Sequence, residues 1–544
     1  MSKSTLYQFG IAVVALLLFL PTSQIHLFDW DEINFAEAAR EMIVTGDYFT
    51  VTIDYQPFWE KPPLFIWLQV LSMKAFGISE FAARLPNVIC GIATLLTLFN
   101  IGKRIYNIEF ANIWVLAYLG TLLPQFYFMS GIIDPVYNLF IFLALYNLYQ
   151  YVQGEKASSL LYAALWAGLA VLTKGPVAVL LLAVIIIIYS LAIGSLRTTL
   201  GIFSSRKGWL SILVFLLVCS FYYGAEFIRN GPTFFTEFID YHLRLFQTSE
   251  ASHGQPFYYH FFVLLIGCLP TSILMFGGFK KMEQDGAREV KFTKLMVVMF
   301  CVVLFVFSVV ETKIIHYSSL CYFPLTFLAS RYVYNVAYRK MKPAMSISLF
   351  MLFLSGLLAL ILLMLPYIMA NVEAIIPLVQ DPFAIAILKA DVRWTWVEGL
   401  GGLVYFMSLV GFVYLLYKRR LAIAYVTLLI GIALGLNISF RSVVPRVELI
   451  TQNAAVEFYK SLQGVDCYIE VLGFKSYAHY FYARKPRPSG DDLKTKEELL
   501  EGPLTKPAYF SVRNVDAEQY RTHPNLDELY ERNGYVFFKR MPGL

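Results

Sequence analysis

The stretch Asp29-Trp30-Asp31-Glu32 sets three carboxylates within four residues, directly after the first apolar run of the chain. Carboxylates at this density can orient or deprotonate an attacking group, and they can equally cap a helix. Asp29 with Glu32 three residues on has the capping-box spacing, and acids in a first turn complement the helix dipole, so capping is the favoured reading of that pair. Asp31 has Asn34 at the corresponding position and sits where the chain leaves the membrane, which makes it the better candidate for chemistry.

Basic residues recur at the ends of other apolar runs: Lys61 in Glu60-Lys61-Pro62-Pro63, Lys174 in Leu172-Thr173-Lys174-Gly175-Pro176, Lys313 in Glu311-Thr312-Lys313, and Arg244 in Tyr241-His242-Leu243-Arg244. Asp134, His242 and His253 accompany them. One such lysine snorkels or pairs locally. Four basic groups with His and Asp on one face, above a bundle rich in Leu, Ile and Phe, describe a receptor for an anionic head group on an apolar tail. A lipid-linked phosphate fits both halves: Arg grips phosphate oxygens bidentately, Lys acts as a point charge, and Tyr and Trp offer faces on which sugars stack. No Gly-rich nucleotide fingerprint is present, which argues against a nucleotide-sugar donor.

The elements that must position these groups follow from composition. The 544 residues are 58% hydrophobic and 15% charged, with a mean hydropathy of +0.60, which excludes an ordinary soluble domain, a disordered chain and a disulfide scaffold. Six cysteines, five of them in or beside apolar runs, form no CxxC pattern. About thirteen apolar stretches start near residues 7, 81, 110, 134, 158, 176, 209, 257, 295, 316, 343, 395 and 421. The first, Ile11 to Leu20, also has the outline of a cleaved signal peptide. With Lys3 inside, every basic cluster falls in an inner loop, from Lys103-Arg104 through Lys418-Arg419-Arg420. The long first outer loop, 24–80, is then expected to carry an interfacial helix from Asp29 to Met42 and a proline-stiffened extended segment at 56–63.

The charged fraction rises from about 12% over residues 1–440 to about 28% over 441–544, which divides the chain into a membrane domain and a water-soluble outer tail. The tail reads as a small α/β domain, with a helix at 445–462 and strands at 467–474, 508–512 and 535–539. His479, among Tyr477, Tyr480 and Tyr482, reads as part of a packed aromatic face. The tail is expected to cover the outer mouth or help select an acceptor.

In order along the chain, Asp31-Glu32, Glu60-Lys61-Pro62-Pro63, Leu172-Thr173-Lys174-Gly175, His242 with Arg244, His253 with Pro256-Phe257-Tyr258-Tyr259, and Lys313 with Tyr317 resemble the polyprenyl-phosphate-dependent glycosyltransferases of the GT-C fold. The resemblance is strongest to the lipid A 4-amino-4-deoxy-L-arabinose transferase (ArnT) family and extends over nearly the whole chain. It implies a polytopic α-helical GT-C membrane enzyme of the bacterial inner membrane with a periplasmic active site and tail. The implied substrates are an undecaprenyl-phosphate-linked sugar and lipid A. Asp31 is implied as the catalytic carboxylate, Lys61 and Arg244 as the phosphate-binding pair, and Tyr317 as a further phosphate or lipid contact. Lys174 joins the donor site, with Glu32, Asp134, His242, His253 and Lys313 supporting it. Glu60 matches a residue that can contact a divalent metal ion in the family. Tyr241 and Leu320 depart from its pattern, which leaves sugar and acceptor open. The competing readings are an enzyme resembling protein O-mannosyltransferases, using polyprenyl-phosphate mannose, and a lipid flippase. The flippase would need inverted halves with helices broken at mid-membrane, a symmetry the sequence does not show.

Overall fold

The computed structural model describes residues 2–20, 25–156, 158–247, 254–488 and 494–543, without the side chains of 241–243 and 245–247. The chain is a polytopic α-helical membrane protein. Each of the thirteen expected starts falls on a helix or within two residues of one. Six helices among the described residues are long and apolar enough to span a bilayer alone: Glu80–Ile105, Arg206–Asn230, Ala287–Val309, Met345–Ala370, Trp396–Tyr417 and Leu421–Thr451. A seventh span forms if Tyr259–Gly267 and Thr271–Gly278, bent by 100° at their junction, are taken together. Lys3–Phe19, Ser159–Lys174 and Val177–Ala192 are apolar but shorter than a straight crossing requires. Leu64–Phe76, a further apolar helix, lies within the segment read as an outer loop.

The basic loops expected on one side do meet. Lys103 Nζ donates to Ser4 Oγ at 2.9 Å, Arg104 and Arg288 both pair with Glu155, and Arg339 pairs with Asp285 and Glu289. At the opposite end, the first and last spans are riveted: Arg441 Nη2 donates to the carbonyls of Leu17, Leu18 and Leu20, groups that the end of helix Lys3–Phe19 leaves without helical partners.

In the first loop, helix Asp31–Thr45 is buried along most of its length and ends at Gly46, which adopts φ 72°. Such a left-handed terminus favours glycine, which has no Cβ to clash. Its buried Glu37 and Arg40 pair at 2.6 and 2.7 Å. Glu41 accepts from Thr52 Oγ1 at 2.6 Å and from Tyr55 N at 3.0 Å, which fixes the turn between the short strands Thr52–Ile53 and Gln56–Pro57. Burial, then the neighbouring Glu37 charge, push the Glu41 carboxyl up to about 8.

The tail is built on a four-stranded sheet in the order Tyr468–Leu472, Ala508–Arg513, Tyr535–Arg540, Asp527–Arg532. The first pair is parallel and the others are antiparallel. Helix Leu421–Thr451 runs unbroken across residue 441, and Asn453–Ser461 follows it, so the single helix read at 445–462 is two. The tail is anchored at several points on the first loop: Leu27 N donates to Tyr482 Oη at 2.6 Å, Tyr55 Oη to Lys485 O at 2.7 Å, and His26 meets Glu448 at 2.7 Å. His479 is fully buried, lies against Tyr480 and approaches Glu470 at 3.3 Å, so it is a packed residue, as its aromatic neighbours suggest.

Candidate functional site

A cavity of about 1020 Å³ opens between the helix ends, the first loop and the tail. It lies at the upper end of small-molecule sites, about 300–1,000 Å³. Asp31, Glu32, Glu60, Lys61, Lys174 and Tyr317 all line it, so residues separated by nearly 290 positions in sequence share one wall. Leu123, Phe126, Ile132, Ile133, Phe440 and Val444 supply its apolar side.

The floor is a chain of ionic contacts. Lys174 Nζ donates to Asp134 Oδ1 at 2.6 Å and lies 5.1 Å from the centre of the Tyr317 ring. Asp134 is buried, and its Oδ2 lies 3.7 Å from His316 Nε2, which in turn stands 3.3 Å from Asp31 Oδ2. The Asp31 side chain is 32% exposed, so this carboxylate remains reachable from the cavity.

Glu32 has a different job from Asp31. Arg84 Nε and Nη2 reach its two oxygens at 3.0 and 2.8 Å, Phe28 N donates at 2.9 Å, and Gly131 N donates as well. Burial works to raise the Glu32 carboxyl, but the Arg84 charge and these donors outweigh it and hold it below the usual carboxylate range. Arg84 also donates to the carbonyls of Ile25 and His26 at 2.7 and 2.9 Å. The pair therefore clamps the loop carrying Asp31 onto helix Glu80–Ile105.

The capping reading of Asp29 and Glu32 does not hold. Trp30 precedes the helix without a side-chain cap. Asp29 points instead into the tail, where it accepts from Ser476 and from the Tyr477 backbone. Burial there is only partly offset by these bonds and by His479 and Arg513, and its carboxyl rises to about 6.

The structure also separates some of the expected site residues. Lys174 is on the wall, but its charge is engaged by Asp134, the local pairing common for lysines at helix ends. Lys313 is buried and is not among the wall residues. Arg244 is exposed, and among the described residues it is not one of those that line the wall. Its helix, Thr233–Gln247, packs Phe234 and Phe238 against Tyr223, and six residues beyond Phe238 the helix has turned through about 240°, away from the packed face. The side chain of His242 and the whole of His253 lie outside the described residues. Glu60 lines the cavity, and among the described residues no group of three His, Cys, Asp or Glu that could hold a metal ion forms.

Four wall residues went unrecognised in the sequence. His316 adjoins Tyr317 in a segment already of interest, and Arg84 lies one helix beyond the first loop. Lys475 and Arg513 come from the tail: Lys475 sits over Trp30 at 4.8 Å, and Arg513 lies between Phe383 and Phe474 at 5.0 and 4.9 Å.

Residues 60–223 match the family described as dolichyl-phosphate-mannose-protein mannosyltransferase. The chain is 25% identical over 365 residues to an undecaprenyl phosphate-alpha-4-amino-4-deoxy-L-arabinose arabinosyl transferase of Aeromonas hydrophila, covering 66% of each. It is 26% identical over 358 residues to an uncharacterized protein of Aquifex aeolicus, covering 65% of this chain and 68% of the other. Crystal structures of ArnT from Cupriavidus metallidurans superpose over nearly the whole chain. The one bound to undecaprenyl phosphate gives a TM-score of 0.78 at 17% identity, covering 98% of this chain and 97% of that one. The chain is ArnT-like in sequence and in fold. The sequence matches span about 60% to two thirds of the length of the arabinosyl transferases, whereas the ArnT-like fold extends through the tail.

Proposed function

We propose that the chain is an inner-membrane glycosyltransferase that moves a sugar, an amino sugar such as 4-amino-4-deoxy-L-arabinose, from undecaprenyl phosphate to lipid A on the periplasmic face. The observation that carries this reading is the shared cavity: an accessible carboxylate, Asp31, and a lysine, Lys61, line one chamber with an apolar side suited to a polyprenyl chain. The similarity to arabinosyl transferases and to an ArnT structure bound to undecaprenyl phosphate supports the choice of donor.

In this mechanism an acceptor oxygen attacks the anomeric carbon while the bond from that carbon to the phosphate oxygen breaks. Asp31 orients the acceptor and takes its proton where one is present. Undecaprenyl phosphate departs with its charge held by Lys61, and the low-dielectric wall strengthens that interaction. The tail closes the chamber from above and presents Lys475 and Arg513 to the acceptor. A second reading, transfer of mannose to a protein hydroxyl, is favoured by the family match over residues 60–223.

Mass spectrometry of lipid A separates the two. Cells carrying the wild-type chain should show a sugar-sized mass increment that is absent without the gene and in Asp31→Asn expressed at the same level. An unchanged lipid A profile together with Asp31-dependent protein glycosylation would establish the second reading.

A further inference from the structure

We infer that His316 is the positioning residue of Asp31, the imidazole through which the buried Asp134–Lys174 pair fixes the reactive carboxylate. This rests on the transferase reading and adds to it a part for a residue outside the expected set.

Two independent features point to His316. Its Nε2 stands between two carboxylates, 3.3 Å from Asp31 Oδ2 and 3.7 Å from Asp134 Oδ2. Asp134 Oδ2 is also buried without a hydrogen-bond partner, although the other oxygen of the same carboxylate is held by Lys174 at 2.6 Å. An orphaned buried acceptor is costly, and the imidazole N–H facing it is a donor within a small movement. One N–H cannot serve both carboxylates fully. Its position therefore couples them: closing on Asp31 fixes that carboxylate, and Asp134 stabilises the ring from behind.

The surroundings suit a positioning role. Asp31 is the first residue of its helix, and its carboxylate reaches His316 from there. His316 is the second residue of the 3-10 turn Ile315–Cys321, in which Ser319 Oγ donates to the His316 carbonyl and accepts from Asn138 on the helix that bears Asp134. The imidazole and Asp134 are therefore held in register by separate bonds. The titratable groups around His316 are Asp31, Asp134 with its partner Lys174, the adjoining Tyr317, and His260 and Lys313 on the far side.

The test uses the purified full-length protein in detergent or nanodiscs with a synthetic polyprenyl-phosphate sugar and lipid A. His316→Ala should lower kcat on the order of tenfold to a hundredfold, the scale of a small misplacement of a reacting group, with donor KM within twofold. His316→Gln, whose amide N–H can reach Asp31, should recover most of the rate. His316→Ala should add little in an Asp31→Asn background. A loss confined to donor KM, no recovery in His316→Gln, or losses that multiply with Asp31→Asn would overturn the proposal.

A second measurement does not need turnover. In protein labelled with 15N-histidine, the His316 signal, assigned by its disappearance in His316→Gln, should shift in Asp31→Asn. An unmoved signal would refute the pairing. Wild-type protein that transfers no sugar would overturn the transferase reading and this role with it, whereas a shifted signal would still confirm the contact.

Discussion

Replacing Arg84 by Met tests the clamp beneath the site. The guanidinium and its partner Glu32 are each 5% exposed, and Arg84 makes two bonds to that carboxylate and two to the carbonyls of Ile25 and His26. Methionine fills much of the same volume but leaves Glu32 as a buried charge supported only by the Phe28 and Gly131 amides. Breaking one side of a buried ion pair costs about 3–5 kcal/mol, or roughly a 150- to 5,000-fold shift in the folding equilibrium. Unfolding followed by size exclusion or intrinsic fluorescence in detergent should show a loss of that order at pH 7.5. The pH dependence should reverse between the two proteins. In the wild type, the lowered Glu32 carboxyl contributes stability that is present above its unfolded value near 4.5 and is lost as pH falls through the folded value. In Arg84→Met the carboxyl is no longer lowered, so acidification should protect the fold by neutralising the orphan. Glu32→Gln combined with Arg84→Met should regain at least half of the loss. Arg84→Met within about 0.5 kcal/mol of wild type, the range of ordinary surface changes, or a double variant no better than the single, would refute the account of Glu32 as a positioning group.

Other predictions follow from the same geometry. Asp29, raised to about 6 from 3.8, favours the docked tail when protonated; its contribution is full below about pH 3.8 and is lost as pH rises through 6. Corrected for the intrinsic pH dependence of exchange, protection of the tail strands should accordingly fall between pH 5 and 7.5 in wild type and stay level in Asp29→Asn. Glu41, at about 8, is mostly protonated at neutral pH, so Glu41→Gln should leave the melting temperature nearly unchanged at pH 7. Glu37→Gln, which strips the buried Arg40 of its anion, should cost about 3–5 kcal/mol in the same melt. Lys61→Ala should weaken undecaprenyl phosphate binding roughly tenfold or more in a titration, with Lys61→Arg partly retaining it; unchanged affinity would remove Lys61 from the donor site.

Much of the scaffold was legible because hydrophobic length and basic-loop bias are local signals. The apolar starts lie on helices or within two residues of them, and Tyr468–Leu472, Ala508–Arg513 and Tyr535–Arg540 are the strands their apolar runs suggest. Asp527–Arg532 was missed because every residue in it is exposed, which leaves no burial pattern to read. Helix Leu64–Phe76 was absorbed into a loop because two prolines precede it and it is too short to look like a span. In the site, the meeting of Asp31 and Lys61 on one wall was legible from residue type and location. The direction in which Arg244 faces was not, because sequence gives the end of the bundle on which a residue falls, whereas helix rotation sets where its side chain points. Asp29 looked like a cap because its partners, Ser476 and Tyr477, are some 450 residues away. His316 needed three elements to meet before its neighbours could be known.

The helix Leu421–Thr451 gives the tail a mechanical character. Because one uninterrupted rod crosses the bilayer and rises into the tail, with Arg441 pinned to the end of the first span and Glu448 to His26, the roof of the cavity stands on a post. A tilt of that post is a tilt of the roof, so the width of the opening is geared to the angle of the last span in the membrane. Bilayer thickness and lateral pressure thereby become inputs to the chamber, and a thinner or more tightly packed membrane should alter its gape with no ligand bound.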